Sequence, residues 1–326
     1  MPLLLSEDDV RAAVSMDDLI ECMQTALVRF AEGRVRQPLR AVTEIPSHRA
    51  FFAVMPSFID EPAALGAKLV TVYGGNVAQG LPSHLATIVL LDPETGALMA
   101  LMDGRYITEA RTAAVSAVSV RLLALPGADT LAILGSGVQA RSHLEAIGRV
   151  RALRDVRVWS PDAERRAAFV REMQARVAPP IRATASAREA VEGAGVIALA
   201  TAAREPVLFS EWVADGAHIC AVGACRPDQR EMDTALVARA RLFVDSRVGA
   251  LNEAGDIVMP IREGAIDEGH IAGELGALAA GSVGGRRTDR EVTVFKSLGM
   301  AVEDIAAAHR AYEKAAARGL GRGFVL

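Results

Sequence analysis

Aromatic side chains are scarce in this chain: Phe, Tyr and Trp together make up 4% of its 326 residues. Proteins that bind single-stranded nucleic acid stack the bases on such rings, so the scarcity argues against that class. A basic surplus is missing too. The 36 lysines and arginines stand against 40 acids, leaving a formal charge of −4, which gives no general pull toward nucleic acid or anionic membrane. No uninterrupted apolar run approaches the roughly 18 residues of a membrane span. Cysteines number three, Cys22, Cys220 and Cys225; they cannot all pair, and their spacing matches no zinc motif. We read them as reduced thiols in a cytoplasmic protein, with no metal site expected. The opening MPLLLSEDDV has a short apolar run, no basic residues before it and acids directly after it, so it reads poorly as an export signal. Repeats and low-complexity tracts are also lacking.

What is present is a globular composition, 51% hydrophobic and 23% charged, in a chain long enough for two domains. Residues 15–33 place Leu19, Ile20, Met23, Ala26, Leu27 and Phe30 at helical spacing, with Ser15 as N-cap and Gly33 as stop. From residue 39 to 102 the texture changes to short apolar or alternating runs, RAVTEI, AFFAVMPSF, GAKLVTVY, ATIVLLD and ALMALMD, separated by turn signals. These predict strands of a mixed or antiparallel sheet. A second helix is predicted over 108–124, opened by Thr108 with Glu109 in its first turn, and stopped at residues 125–127, Leu-Pro-Gly, a reasonable domain boundary.

Beyond that boundary strand-like runs recur at 130–134, 155–160, 181–185, 195–201, 218–223 and 241–246. Amphipathic helical stretches lie between the first four. Continuous apolar strands alternating with helices imply a parallel sheet covered on both faces. Six strands in this rhythm predict a full doubly wound, Rossmann-type α/β domain. In LAILGSGVQARSHLEAI, Gly135, Gly137 and Ala140 fall between the first strand and its helix. The first glycine permits a tight turn, the second leaves space for a pyrophosphate, and the alanine allows close packing of helix on strand. The helix N-terminus then offers N–H groups and a positive dipole end. Such a triplet alone can be a purely structural turn. In this context it points to NAD(P), with Gly135, Ser136, Gly137, Val138 and Gln139 as candidate contacts.

At the end of the second strand an acid would bind a ribose 2′-hydroxyl and repel a 2′-phosphate. That position holds the neutral Ser160, with Arg165 one turn into the following helix and Asp162 pulling the other way. The balance tips toward NADPH over NADH.

An ordered set of further stretches resembles the ornithine cyclodeaminase/mu-crystallin family over essentially the whole length: QPLR (37–40), VMPSF (54–58), GAKLVTVY (66–73), residues 81–104, EARTAAVSAVS (109–119), ILGSGVQA (133–140), VGACRPDQREMD (222–233), VDSRVGALNEAGDI (244–257) and KSLGMAVED (296–304). The resemblance implies a homodimer. It implies a substrate-binding and dimerisation domain over 1–124, a nucleotide domain over 125–295, and a C-terminal segment, 296–326, whose helix returns to the first domain. Thr112, Thr201 and Ser297 join the candidate cofactor contacts.

The resemblance also implies which side chains meet the substrate. Lys68 matches an active-site lysine, Arg111 an arginine that holds the substrate carboxylate, and Arg40 its helper. From the residues alone, Lys68 in an apolar strand either snorkels to the surface or lies in a pocket where desolvation lowers its pKa for proton transfer. Arg111 can fork onto a carboxylate, near the start of a helix whose dipole favours an anion. His84 is either a structural histidine or a proton donor to an imine nitrogen. Where cyclodeaminases of this family carry an aspartate, this chain has Cys225, with Asp228 three residues on. Together these favour an imine reductase of small cyclic α-imino acids, Δ1-pyrroline-2-carboxylate or Δ1-piperideine-2-carboxylate, over an ammonia-releasing cyclodeaminase, an alanine-dehydrogenase-like enzyme or a protein that only sequesters NADPH.

Overall fold

The structure is a computed structural model and describes residues 1–325. The chain divides into two compact units, Met1–Arg111 with Met300–Leu326, and Thr112–Gly299. The first cut lies inside the long helix Arg105–Leu123, not at the expected Leu-Pro-Gly stop, and the second lies four residues past the expected 295.

In the first unit eight strands form a mixed sheet. Its backbone is the antiparallel run Ala50–Ile59, Ala64–Tyr73, His84–Leu91 and Leu98–Asp103. Burial alternates along Ala64–Tyr73, so Ala64, Gly66, Lys68 and Val70 share one covered face. The C-terminal helix Ala301–Arg318 packs on these strands and on the helix Met16–Ala31. Met16–Ala31 begins as expected: Ser15 and Asp18 cap each other reciprocally. Ala53, Met55, Val70, Ala86 and Ala301 form a buried cluster where helix meets sheet.

The second unit is an all-parallel sheet of eight strands. Its spatial order is Ile181–Ala183, Asp155–Trp159, Thr130–Leu134, Val196–Leu199, His218–Ala221, Thr293–Lys296, Arg241–Val244 and Ile271–Glu274. Period-two alternation divides the central strands between two cores. Ala132, Leu134, Ile197 and Leu199 face one cluster, while Leu131, Ile133, Val196 and Ala198 face the other. Each such Leu, Ile or Val contributes roughly 1.5–3 kcal/mol by leaving water. Two strands exceed the six expected. Ile271–Glu274 adds an edge, and Thr293–Lys296 inserts between His218–Ala221 and Arg241–Val244.

One expectation fails at the long helix. It begins at Arg105, whose N–H donates to Asp103 Oδ1 at 2.8 Å, and Thr108 is internal, its hydroxyl donating to Gly104 O at 2.8 Å. Arg111 therefore sits beyond the first turn, where the helix dipole no longer favours an anion.

Candidate active site

Two groups of side chains carry chemistry, one in each unit. In the first, Lys68 does not snorkel: it is 2% exposed, on the covered face of its strand. Its Nζ lies 2.6 Å from Asp304 Oδ2 and donates to Thr108 Oγ1 at 3.5 Å. Arg111 is buried beside it, donating through Nε to Asp304 Oδ1 at 2.9 Å and through Nη1 to Glu303 Oε2 at 2.7 Å. Both acids stand in the first turn of Ala301–Arg318, where the dipole stabilises anions. Val302 N–H donates to Gln37 Oε1 at 2.8 Å, which anchors the segment leading to half-buried Arg40.

Burial lowers the Lys68 pKa to about 8; Asp304 opposes that shift, and the positive fields of Arg111 and Arg40 add to it. Asp304 is held below its usual range by Arg111 and Lys68, although burial works against it. His84, half-buried at the head of its strand, is pushed down to about 4 by burial and then by Lys68 and Arg111. At neutral pH it is an uncharged hydrogen-bonding group. Lys68 is the group that still holds a proton.

The second unit carries the glycine turn. Gly135 has φ +118°, and a Cβ there would meet Ala200 O at 2.3 Å, so only glycine fits. At Gly137, by contrast, nothing lies within 4 Å of an added Cβ. Gly137 is the N-cap of Val138–Val150, and no side chain caps that helix. Gln139 Oε1 is buried without a hydrogen-bond partner. Open space and uncapped N–H groups together fit a pyrophosphate. Arg141 donates to Ser136 O at 2.6 Å and Gly137 O at 3.0 Å, drawing the loop's carbonyls toward itself.

Ser136 Oγ and Ser160 Oγ lie 2.9 Å apart, which joins the loop to the end of the second strand. Arg165 is not drawn in: its side chain is 73% exposed and pairs with Asp162 at 3.3 Å, while Arg166 donates to Ser160 O. Thr201 and Ser297 stand at strand ends but are engaged with buried acids, Glu231 and Asp245. Thr112 is half-buried on the long helix, and Cys225 and Asp228 are exposed. Sequence reasoning did not single out Glu303, Asp304, Glu231 or Asp256. The one available signal was an acidic pair in the apolar run LGMAVED. Among the described residues no group of three or more His, Cys, Asp or Glu is arranged to hold a metal, and no helix is long and apolar enough to cross a membrane.

A doubly wound sheet with a phosphate-binding turn, and a separate buried lysine–arginine cluster, mark the chain as an NAD(P)-dependent oxidoreductase. A sequence profile of the ornithine cyclodeaminase/mu-crystallin family matches residues 1–319, and the chain belongs to that family. It is 45% identical over 316 residues to the ketimine reductase mu-crystallin of Rattus norvegicus, covering 96% of this chain and 97% of the rat protein. With a Delta(1)-pyrroline-2-carboxylate reductase of Bacillus cereus it shares 38% over 320 residues, 98% of each. Among solved structures, Thermococcus litoralis Delta(1)-pyrroline-2-carboxylate reductase in complex with NADH and L-proline superposes with a TM-score of 0.97 at 42% identity, covering 99% of this chain and 100% of that one.

Proposed function

We propose that the protein reduces small cyclic α-imino acids, Δ1-pyrroline-2-carboxylate and its six-membered homologue, to the corresponding amino acids. The observation that carries this reading is the buried Lys68–Asp304–Arg111 cluster, in which one lysine has its pKa near the working pH. Arg40 and Arg111 hold the substrate carboxylate by charge-assisted hydrogen bonds, with Arg111 oriented by its two acids. Lys68 Nζ donates a proton to the imine nitrogen, which then carries the C=N electron pair, and Lys68 is reprotonated from solvent. His84 contributes a neutral hydrogen bond. Residues Gly135 to Gln139 and Ser160 would hold the dinucleotide, whose reduced nicotinamide supplies the hydride that the imine carbon accepts. The relatives named above, a ketimine reductase and reductases of the five-membered imino acid, support this substrate class.

For the cofactor we favour NADPH, with NADH also accommodated. Ser160 is neutral, and Arg165 need only exchange its solvent-exposed partner Asp162 for a 2′-phosphate. We also assign a homodimer built through the first unit, where Leu39, Val42, Val77, Leu81 and Leu85 are exposed apolar residues.

Purified protein mixed with Δ1-pyrroline-2-carboxylate is expected to oxidise NADPH and NADH stoichiometrically, followed by absorbance in parallel. Arg111→Ala is expected to lower kcat/KM by about a hundred-fold or more. Ammonia release from ornithine without net cofactor oxidation would instead make the protein a cyclodeaminase.

A further inference from the structure

At the C-terminal ends of the central parallel strands, one carboxylate gathers four donors. Glu231 is fully buried. Its Oε1 accepts from Thr201 N at 2.8 Å and Thr201 Oγ1 at 2.7 Å, and its Oε2 accepts from Gly223 N at 2.7 Å and Ala224 N at 3.0 Å. Burial, with the negative field of Asp256, raises the pKa of this carboxyl against the opposing field of Lys296 and the hydrogen bonds from Thr201. Three of its four hydrogen-bond partners are main-chain N–H groups, which can only donate, so both carboxyl oxygens are held as acceptors.

Glu231 is itself fixed in place. Asp256 Oδ1 accepts from the main-chain N–H of Glu231 at 2.8 Å and of Met232 at 3.0 Å. Asp256 Oδ2 lies 3.0 Å from Lys296 Nζ, and Lys296 also donates to Ala224 O. Asp256 and Lys296 are as fully buried as Glu231. The three side chains tie together the ends of Val196–Leu199, His218–Ala221 and Thr293–Lys296, which are consecutive in the sheet. The fit is close: a Cβ on Gly223 would meet Thr201 O at 2.2 Å. Residues 225–228 beyond this stem are exposed.

The glycine-turn strand Thr130–Leu134 has Asp155–Trp159 on one side and these three strands on the other. A dinucleotide in a doubly wound sheet lies across that division, with its 2′-hydroxyl-bearing half toward the second strand, here ending in Ser160. The other half therefore falls to the strand ends that Glu231 joins. We propose that Glu231, backed by Asp256 and Lys296, is a positioning residue that shapes the nicotinamide half of the cofactor site, an inference that rests on the cofactor reading above.

The test is calorimetric binding of NADH, NADPH and ADP-ribose to the full chain, since ADP-ribose lacks the nicotinamide. Glu231→Gln turns an acceptor into a donor facing the N–H groups of Gly223 and Ala224. It is expected to weaken both reduced cofactors about ten-fold or more while ADP-ribose changes less than about two-fold. Thr201→Val removes one of the four donors to Glu231, together with the acceptor of the Ala203 N–H, and is expected to shift the same ratio in the same direction by about three-fold; it carries the comparison if Glu231→Gln does not fold. Without any ligand, amide exchange at Thr201, Gly223 and Ala224 is expected to be slow, and faster in the variants. Equal losses for all ligands, or no loss for the reduced cofactors, would overturn the proposal. An unmodified chain that binds none of them would bring down the cofactor reading and this proposal with it.

Discussion

A lysine and an arginine buried side by side repel each other and lose hydration, so their position is tenable only because Glu303 and Asp304 neutralise them. Removing one carboxylate leaves buried charge without compensation. Asp304→Ala is therefore expected to destabilise the first unit by roughly 3–5 kcal/mol, read from urea unfolding. The same burial sets a pH dependence. With its pKa lowered from the free value to about 8, Lys68 is protonated below that pH and loses its proton as pH rises through it. Imine reduction is expected to decline above pH 8 with that inflection, and Lys68→Met to remove the inflection along with most of the rate. An inflection that persists in Lys68→Met would transfer the role to another group. Lys68 and Arg111 were legible as residues because a cation in an apolar run is conspicuous, and the family resemblance pointed to the same two. Asp304 was not, because its partner Arg111 lies 193 positions away in the chain and nothing local announces the pairing. His84 was legible as a candidate, but its protonation state was not, since it depends on charges brought close only by folding.

At the scale of elements, the two glycines of the dinucleotide turn separate folding from binding. Gly135 has a left-handed φ and no room for a Cβ beside Ala200 O, while Gly137 faces open space. Gly135→Ala is expected to cost about 2 kcal/mol or more of stability, measured by thermal unfolding. Gly137→Val, with room for its side chain, is expected to leave the melting temperature nearly unchanged and to abolish dinucleotide binding by calorimetry. Comparable losses of stability in both would show that the space at Gly137 is not what it serves. Strand positions were legible where short apolar or alternating runs recurred between helical stretches. Thr293–Lys296 was missed as a strand because its place between His218–Ala221 and Arg241–Val244 is decided by topology, not by local pattern. The long helix was placed three residues late because Thr108 resembles an N-cap, whereas Asp103 supplies the carboxylate that receives the first N–H.

At the scale of the whole molecule, acid is the vulnerable direction. His143 joins Ser116 Oγ at 2.9 Å to Gln139 O at 2.7 Å, and His218 joins Ser119 Oγ at 3.0 Å to Thr293 Oγ1 at 2.9 Å, all inside the nucleotide unit. Burial lowers their pKa values to about 4 and about 3. Below pH 6.5 the unfolded chain takes up protons that the folded chain refuses, so stability falls with pH, by roughly 3–5 kcal/mol per histidine when the window is crossed completely. Unfolding midpoints are expected to drop between pH 6.5 and 4, less steeply in a His143→Asn, His218→Asn double variant. Slopes that coincide would assign the acid sensitivity to other groups. The division of the chain has a consequence in time as well. Lys68 and Arg111 belong to the first 111 residues, but the acids that neutralise them lie beyond Met300. During synthesis at roughly 5–20 residues per second, the intervening nucleotide unit occupies the ribosome for about 10–40 s. Throughout that interval Lys68 and Arg111 lack their counter-charges. The nascent chain thus carries an uncompensated pair of cations that only the helix Ala301–Arg318, translated after the whole second unit, can neutralise.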